Sequence, residues 1–460
     1  MKLYDTICAL STPVGTGGIS VIRVSGENAF NITSKIFKSK FDKDILTLKS
    51  HSAILGNIID NNGFSIDEVV VTKFEGPNSF TGENVIEISC HGGMAVVKLI
   101  IKELISAGAR IAENGEFTKR AFLNGKVDLS QAEAIIDIIN ANDEYNVYSG
   151  ENHLKGILSD KINTIRNKLI DVVSSVIAVI DYPEEDIDEM KINDIISNLE
   201  DSLNDINNLK KTYNTGKIIK EGAKIVICGK PNVGKSSLLN SLLKENRAIV
   251  TDIAGTTRDT LEETLSIDGL KTRIIDTAGI RESDDVVESI GINKAVENIN
   301  DADLILFLID TSVPLSLEDI SLSEKLIDKK VFVLLNKTDL DSNCDISKIK
   351  ETLPLAEFIS ISAKNETGIN NLTDKIKESI LNGEVNIKED IYITNERHFE
   401  KLVNSSEYLI KVINDLKTGI YPDIVTIDIE NAISSLGEIT GLTVSEEIIG
   451  NIFSKFCLGK

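Results

Sequence analysis

The chain has 460 residues, which at roughly 150 residues per domain predicts about three domains. Hydrophobic residues make up 42% and charged residues 26%, a globular balance that excludes long disorder and collagen-like repeats. Lysine and arginine number 49 against 72 acidic residues, a formal net charge of −23, so nucleic acid must be met by a local basic patch.

Five cysteines, Cys8, Cys90, Cys228, Cys344 and Cys457, lie far apart with no CxxC and no Cys/His cluster. That spacing excludes a disulfide framework and a structural zinc site and suits a reducing cytoplasm. The opening MKLYDTICALSTPVGTGG has no unbroken apolar core followed by a small-residue cleavage site. The densest apolar stretch, Val172–Ile180, is interrupted by two serines and falls short of the roughly 20 residues that span a bilayer. A cytoplasmic protein without membrane contact is expected.

Residues 1–118 read as mixed α/β. Short β-branched runs at Ile19–Val24, Glu68–Lys73 and Val85–Ser89 alternate with turns such as Gly76-Pro77-Asn78. A helix is predicted at Met94–Ala107, where Val97, Ile100, Ile101 and Leu104 make an apolar stripe. From about Phe117 the period changes. Leu158, Ile162, Ile165, Leu169, Val172, Val173, Val176 and Ile180 recur mostly at three- and four-residue steps, marking a long amphipathic helix that ends at Tyr182-Pro183. Ten acidic residues against one Lys191 fill Asp181–Asp205, the composition of a solvated helix face.

Between Glu221 and about Ile380, strand-like runs at Lys224–Cys228, Thr272–Ile275, Leu304–Ile309, Val331–Leu335 and Phe358–Ile361 alternate with helical segments, the pattern of a parallel α/β sheet. Helical patterning then returns to the end of the chain. The expected fold is multidomain, α/β plus all-α. An N-terminal domain occupies 1–118, and a discontinuous helical domain occupies 119–220 and 381–460, interrupted by an α/β domain at 221–380.

Gly229-Lys230-Pro231-Asn232-Val233-Gly234-Lys235-Ser236 fits the phosphate-loop pattern G-x-x-x-x-G-K-[ST], directly after a strand and before helical Leu238-Leu239-Asn240. Its glycines let backbone N–H groups wrap phosphates at a helix N-terminus. Lys235 is suited to the β/γ oxygens and the Ser236 hydroxyl to Mg²⁺. Asn336-Lys337-Thr338-Asp339 follows a later strand, and its Asp can accept from both guanine N1–H and the 2-amino group. Ser362-Ala363-Lys364 supplies a loop over the guanine ring. Together and in this order, the three motifs predict a GTP site. Asp276-Thr277-Ala278-Gly279 closes another strand, with an Asp for water-mediated Mg²⁺ contact and a Gly amide for the γ-phosphate. Ile280 follows, where a Ras-type switch has a water-orienting Gln, so another group must orient water.

These motifs, with Gly255-Thr256-Thr257-Arg258-Asp259 and the terminal Phe456-Cys457-Leu458-Gly459-Lys460, resemble the MnmE/TrmE family of tRNA-modification GTPases over essentially the full length. More specific than the G motifs are Gly15-Thr16-Gly17-Gly18, Gly76–Glu83, His91-Gly92-Gly93 and Arg120–Lys126. The resemblance implies a folate-binding, dimerising N-terminal domain, a discontinuous helical domain and an inserted Ras-like G domain. It implies a homodimer that joins an FAD-dependent partner in a heterotetramer or larger complex. Together they would modify C5 of the wobble uridine (position 34) of certain tRNAs with a carboxymethylaminomethyl-type group. A tetrahydrofolate derivative, 5-formyl- or 5,10-methylene-, would supply the carbon, with GTP hydrolysis driving the conformational cycle.

Residue by residue, the resemblance puts a K⁺ site on Asn232 and on Thr251, Ile253 and Thr256 of the switch I stretch Thr251-Asp252-Ile253-Ala254-Gly255-Thr256-Thr257. Thr257 would complete Mg²⁺ coordination with Ser236, and Glu288 would orient the attacking water. Folate-site positions map onto Arg23, Glu87, Lys126 and Lys460. Cys457 is placed beside the one-carbon chemistry and counted with Glu288 and Lys235 among the catalytic candidates; whether its thiol reacts stays open. Two other functions share some of these features. A ribosome-assembly or regulatory GTPase would share the G domain but normally carries a basic RNA-binding domain. A non-enzymatic scaffold would have no need of Lys235, Ser236, Thr257 and Asp276 together.

Overall fold

A computed structural model describes residues 5–181, 189–245, 262–267, 269–276, 297–381, 387, 390–420 and 422–460. The chain divides into two compact units, Met1–Ile136 with His153–Leu199 and Glu407–Lys460, and Asp137–Asn152 with Glu200–Ser406.

The first unit is built on a seven-stranded sheet. Its strands are β1 (Ile7–Leu10), β2 (Ile19–Ser25), β3 (Phe37–Ser39), β4 (Ser52–Ile59), β5 (Ser65–Phe74), β6 (Val85–His91) and β7 (Arg110–Ile111), in the order β3-β4-β5-β6-β2-β1-β7. Period-two alternation in β2 and β6 sends Ile22, Val24, Ile86 and Ile88 inward. There they meet the helices Ala29–Ile36 and Met94–Ala107. The second helix has the bounds its apolar stripe predicts, buries Val97, Ile100 and Leu104, and stops at Gly108, whose φ of 120° few other residues adopt. Strands β1, β3, β4 and β7 extend the sheet beyond the runs read from sequence.

The long predicted helix is present as Ile157–Asp181 and packs against Pro422–Thr440. Leu158, Ile162, Ile165, Leu169, Val172 and Val176 are all buried. The helix Glu189–Lys211 buries Ile195, Leu199, Ile206 and Leu209 while leaving Asp194 and Asp201 exposed, so these two acids of the run lie on the outer face of an amphipathic helix.

The last residues of the chain are woven into the N-terminal sheet's unit. Asn114 forms an isolated antiparallel bridge with Leu458. The Gly115 N–H donates to the Cys457 carbonyl at 3.4 Å and the Phe117 N–H to the Lys460 carbonyl at 3.2 Å. Ser11 Oγ donates to the Gly459 carbonyl at 3.0 Å. Gly459 has φ 90°, and a Cβ there would overlap the Leu10 carbonyl, so only glycine allows this approach.

The second unit contains a six-stranded sheet of β8 (Ala223–Cys228), β9 (Glu262–Ile267), β10 (Leu270–Asp276), β11 (Leu304–Asp310), β12 (Val331–Asn336) and β13 (Glu357–Ser360), in the order β13-β12-β11-β8-β10-β9. Five strands run parallel, and β11 is buried along its whole length, as a strand covered on both faces requires. The parallel α/β sheet read from the sequence is present, and at one edge it gains β9, a strand not read from the sequence, which pairs antiparallel with β10. A direct return needs no crossover helix, which makes an antiparallel edge available to a short connection.

A buried ion cluster ties the first unit together. Arg120, 2% exposed, donates from Nη2 to Asp5 Oδ1 (2.7 Å) and Glu116 Oε1 (2.9 Å) and from Nη1 to Glu83 and the Asp5 carbonyl. Arg110 reaches the same Glu116 and Asp5. Burial would raise the Glu116 pKa, but hydrogen bonds from Arg110, the Glu113 N–H and Arg120 bring it below its ordinary value of 4.5. A depressed carboxylate pKa contributes stability above the unfolded-state value and loses it as pH falls through the folded one. Thermal melts from neutral pH down through the carboxylate range should therefore show a steep acid loss that Glu116→Gln flattens. At neutral pH the same variant should cost about 3–5 kcal/mol, since it leaves the buried Arg120 guanidinium, and the part-exposed Arg110 beside it, short of a carboxylate. An unchanged acid slope in the variant would assign the loss to other groups.

Candidate functional site

Three parallel strands of the second unit end in motif residues. β8 runs into the phosphate loop, β10 ends on Asp276 and β12 on Asn336, while β11, between β8 and β12, ends on Asp310. The carboxyl ends of such strands are where open α/β sheets bind ligands.

In the loop between β8 and the helix Lys235–Glu245, Gly229, Asn232 and Gly234 all have positive φ (145°, 62° and 103°), which turns successive N–H groups toward one side. Asn is among the few non-glycine residues that tolerate the left-handed region. Lys235 is 7% exposed and donates from Nζ to the carbonyls of Gly229 (2.6 Å) and Lys230 (2.9 Å), so its ammonium lies across the loop. Ser236 and Ser237 follow it in the helix's first turn.

Asn336 is 2% exposed and joins three segments. Its Nδ2 donates to the Val233 carbonyl at 2.7 Å, and its Oδ1 accepts from the Ala363 N–H at 3.0 Å. Ser241 Oγ holds the Ala363 carbonyl at 2.9 Å. Asp339 accepts from Ser362 Oγ at 2.6 Å, the largest influence lowering its carboxyl pKa. A cavity of about 620 Å³ opens beside these groups, lined in part by Ser237, Ala363 and Lys364. The structure thus brings together Val233, Gly234, Lys235, Asn336, Lys337, Asp339, Ser362 and Ala363. Asp276 closes β10. Thr251, Asp252, Ile253, Ala254, Gly255, Thr256, Thr257, Thr277, Ala278, Gly279 and Glu288 lie outside the described residues.

The first unit gathers the other candidate set. Arg23 on β2 donates to Glu87 on β6 from Nε (3.0 Å) and Nη2 (2.8 Å), the two residues being register partners. Its guanidinium carbon lies 4.7 Å from the Phe80 ring centroid and 5.7 Å from that of Phe117, within cation–π reach. Arg23 Nη1 is buried with no hydrogen-bond partner. Lys126 Nζ donates to the Pro77 carbonyl at 3.1 Å, on the loop that carries Phe80. Lys460 is held through its carbonyl by Phe117, and Cys457 is exposed. Neither ring near Arg23 is singled out from the sequence, although Phe80 lies within the quoted segment Gly76–Glu83 and Phe117 three residues before Arg120–Lys126.

The phosphate loop, the Asn336 bridge and the base-side loop at the ends of a parallel sheet define a P-loop guanine-nucleotide-binding protein. Comparison with known proteins carries this further. Residues 6–126 match the family model described as GTP-binding protein TrmE N-terminus, and residues 129–457 match that of the MnmE helical domain. The tRNA modification GTPase MnmE of Clostridioides difficile (strain 630) is 46% identical over 460 residues, covering 100% of both chains. That of Thermoanaerobacter sp. (strain X514) is 43% identical over 459 residues, again covering 100% of both. Among solved structures, Aquifex aeolicus Era bound to GDP·AlF4⁻ aligns at 27% identity over 40% of this chain and 66% of that one, with a TM-score of 0.27. The G domain of T. maritima FeoB aligns at 25% identity over 34% and 98%, with a TM-score of 0.26. The chain belongs to the MnmE family of tRNA modification GTPases. It is a GTP hydrolase acting in tRNA modification, and among the described residues no helix is long and apolar enough to cross a membrane.

The base assignment is open to direct test. Asp339→Asn replaces an acceptor of two guanine N–H groups with an amide that can donate to the 2-oxo group of xanthine. GTP affinity should fall roughly 10²-fold or more while XTP affinity rises. A competition assay with unchanged GTP/XTP preference would contradict the placement of the base.

Proposed function

We propose that this GTPase is K⁺-activated and works with an FAD-dependent partner to modify C5 of the wobble uridine, using a one-carbon unit from a tetrahydrofolate derivative. The homodimer, the cytoplasmic location and the domain limits given above are part of the same reading. The observation that carries it is the Arg23–Glu87 pair, whose unpartnered buried Nη1 sits near two aromatic rings. A folded site that leaves a guanidinium N–H unsatisfied is suited to a ligand with acceptor atoms and a flat ring.

Within that reading, Arg23 and Glu87 bind the polar edge of the pterin, and Phe80 and Phe117 bound its face. Lys126 and Lys460 offer charge to the folate carboxylates. Bound there, the folate derivative supplies the carbon for transfer. Cys457 is close in sequence to the docked Lys460 and its thiol is exposed, so it belongs to the site whether or not it reacts.

At the nucleotide, Lys235 and the loop N–H groups hold the phosphates, and Ser236 offers its hydroxyl to Mg²⁺ with Thr257. Asp276 would contact that metal through water, and the Gly279 amide would meet the γ-phosphate. Asn232, at the left-handed turn of the phosphate loop, would offer an oxygen to the cation. Thr251, Ile253 and Thr256, outside the described residues, would hold K⁺ with it, and a cation there would supply the positive charge that an arginine finger supplies elsewhere. Glu288 orients the water in place of the missing Gln.

Three measurements on the full-length protein test this reading. Hydrolysis should be about tenfold or more faster in K⁺ than in Na⁺ at matched ionic strength, a fraction of what charge neutralisation by an arginine finger achieves. Equal rates with confirmed nucleotide binding would remove the cation. Glu288→Ala should lower kcat roughly 10²-fold with little change in GTP affinity, the scale of general-base loss; normal turnover would make Glu288 an ordinary surface residue. Equilibrium binding of 5-formyl-tetrahydrofolate should weaken about tenfold or more in Arg23→Met, which removes charge-assisted hydrogen bonds. Folate affinity equal to the parent's would move the folate site elsewhere.

A further inference from the structure

Two lysines of the nucleotide loops are held by carboxylates from one short segment. Asp310, at the end of β11, accepts from Lys337 Nζ through Oδ2 at 2.6 Å. Its Oδ1 accepts from the N–H (3.0 Å) and Oγ (2.6 Å) of Ser312. Next to it, Thr311 donates to the Asn336 carbonyl from both N–H (3.1 Å) and Oγ1 (2.9 Å). Nine residues after Asp310, Asp319 is fully buried and accepts from Lys230 Nζ at 2.8 Å. The same Oδ2 takes the N–H and Oγ of Ser316, closing the N-terminal box of the helix Leu317–Glu324.

Lys230 belongs to the phosphate loop and Lys337 to the base loop. Lys337 has φ 65°, a left-handed conformation uncommon for a long side chain, and it sits between Asn336 and Asp339. A strained backbone persists where surrounding contacts over-determine it. Asp310 and Thr311 grip that residue and the one before it, and Asp319 grips the second residue of the phosphate loop.

We propose that the segment Asp310–Asp319 is a brace that sets the phosphate loop and the base loop in register, with Asp310 and Asp319 as positioning residues. The proposal rests on the assignment of these two loops to phosphate and guanine. Asp319 acts through Lys230 on the phosphate side alone, and Asp310 acts through Lys337 on the direction of Asp339. The two carboxylates therefore have separable effects on the nucleotide.

GDP and IDP separate them, because IDP lacks the 2-amino group that Asp339 accepts from. In full-length protein, Asp319→Asn should weaken GDP and IDP alike by about tenfold, the scale of one charge-assisted hydrogen bond. Asp310→Asn should instead shrink the GDP-over-IDP preference by about tenfold. In a Lys337→Met background Asp310→Asn should have little further effect, since a residue acting through another loses its influence with it. Lys230→Met, which withdraws the charge from the other side, serves for the phosphate arm if Asp319→Asn fails to fold. Folded variants with parental affinities, or an equal loss for both nucleotides in both variants, would overturn the brace. If Asp339→Asn also leaves the GTP/XTP preference unchanged, the fault lies with the placement of guanine and not with the brace.

Discussion

The nucleotide side of the protein depends on one carboxamide. Asn336 donates to the Val233 carbonyl and accepts from the Ala363 N–H, so a single side chain joins the phosphate loop, the base loop and the loop after β13. Its reach sets a constraint on its neighbour. A Cβ at Gly234 would overlap Asn336 Nδ2, and Gly234 also has φ 103°. Glycine is thus required there twice, for its backbone conformation and for the close approach. An Asp at position 336 would keep the acceptor and lose the donor, leaving a buried carbonyl unpaired and the phosphate loop free of its base-side anchor.

The first unit solves a similar problem with charge and with the end of the chain. Arg120 and Arg110 converge on Asp5, Glu83 and Glu116, fixing β1, the loop bearing Glu83 and the start of the helix Glu116–Leu123 relative to one another. Phe117 lies next in sequence to Glu116, buried against Ile7, Ala9 and Ala112. Its ring faces Arg23 while its N–H holds the Lys460 carbonyl. Buried carboxylates thereby position an aromatic ring, and the ring's own backbone positions the terminal residue. Gly115, at φ 65°, admits the terminal helix so closely that a Cβ would lie 2.6 Å from the Phe453 carbonyl.

How much of this was legible in sequence follows from the range of each interaction. The helix Met94–Ala107 and the strands around the motifs were readable because their signal is local periodicity. The phosphate loop and Asn336-Lys337-Thr338-Asp339 were readable because fixed spacing carries their chemistry. The antiparallel β9 was not, since a polar edge strand such as Glu262–Ile267 has too little apolar patterning to announce its direction. The pairs Lys230–Asp319 and Lys337–Asp310 were not either, for they join residues 89 and 27 positions apart and depend on strand order. Asp310 did leave a trace, as the one charged residue closing the apolar run Leu304–Asp310.

Charge places a last demand on both sites. The chain carries a net −23, yet GTP and tRNA are both anions, as is the folate proposed above. At physiological ionic strength a surface charge is screened beyond roughly 8 Å, so the acidic exterior does not dictate what happens at contact distance. What matters there is how each cation is held. Lys235 donates to two backbone carbonyls of the phosphate loop, which lay its ammonium across that loop. Arg23 meets a single carboxylate and keeps one N–H unsatisfied. Lys230 and Lys337, each paired with an aspartate, are nearly neutral to their surroundings and are suited to holding loops in place. The partner of each cation therefore separates a guanidinium with an N–H left to offer an anion from lysines committed to shaping the site.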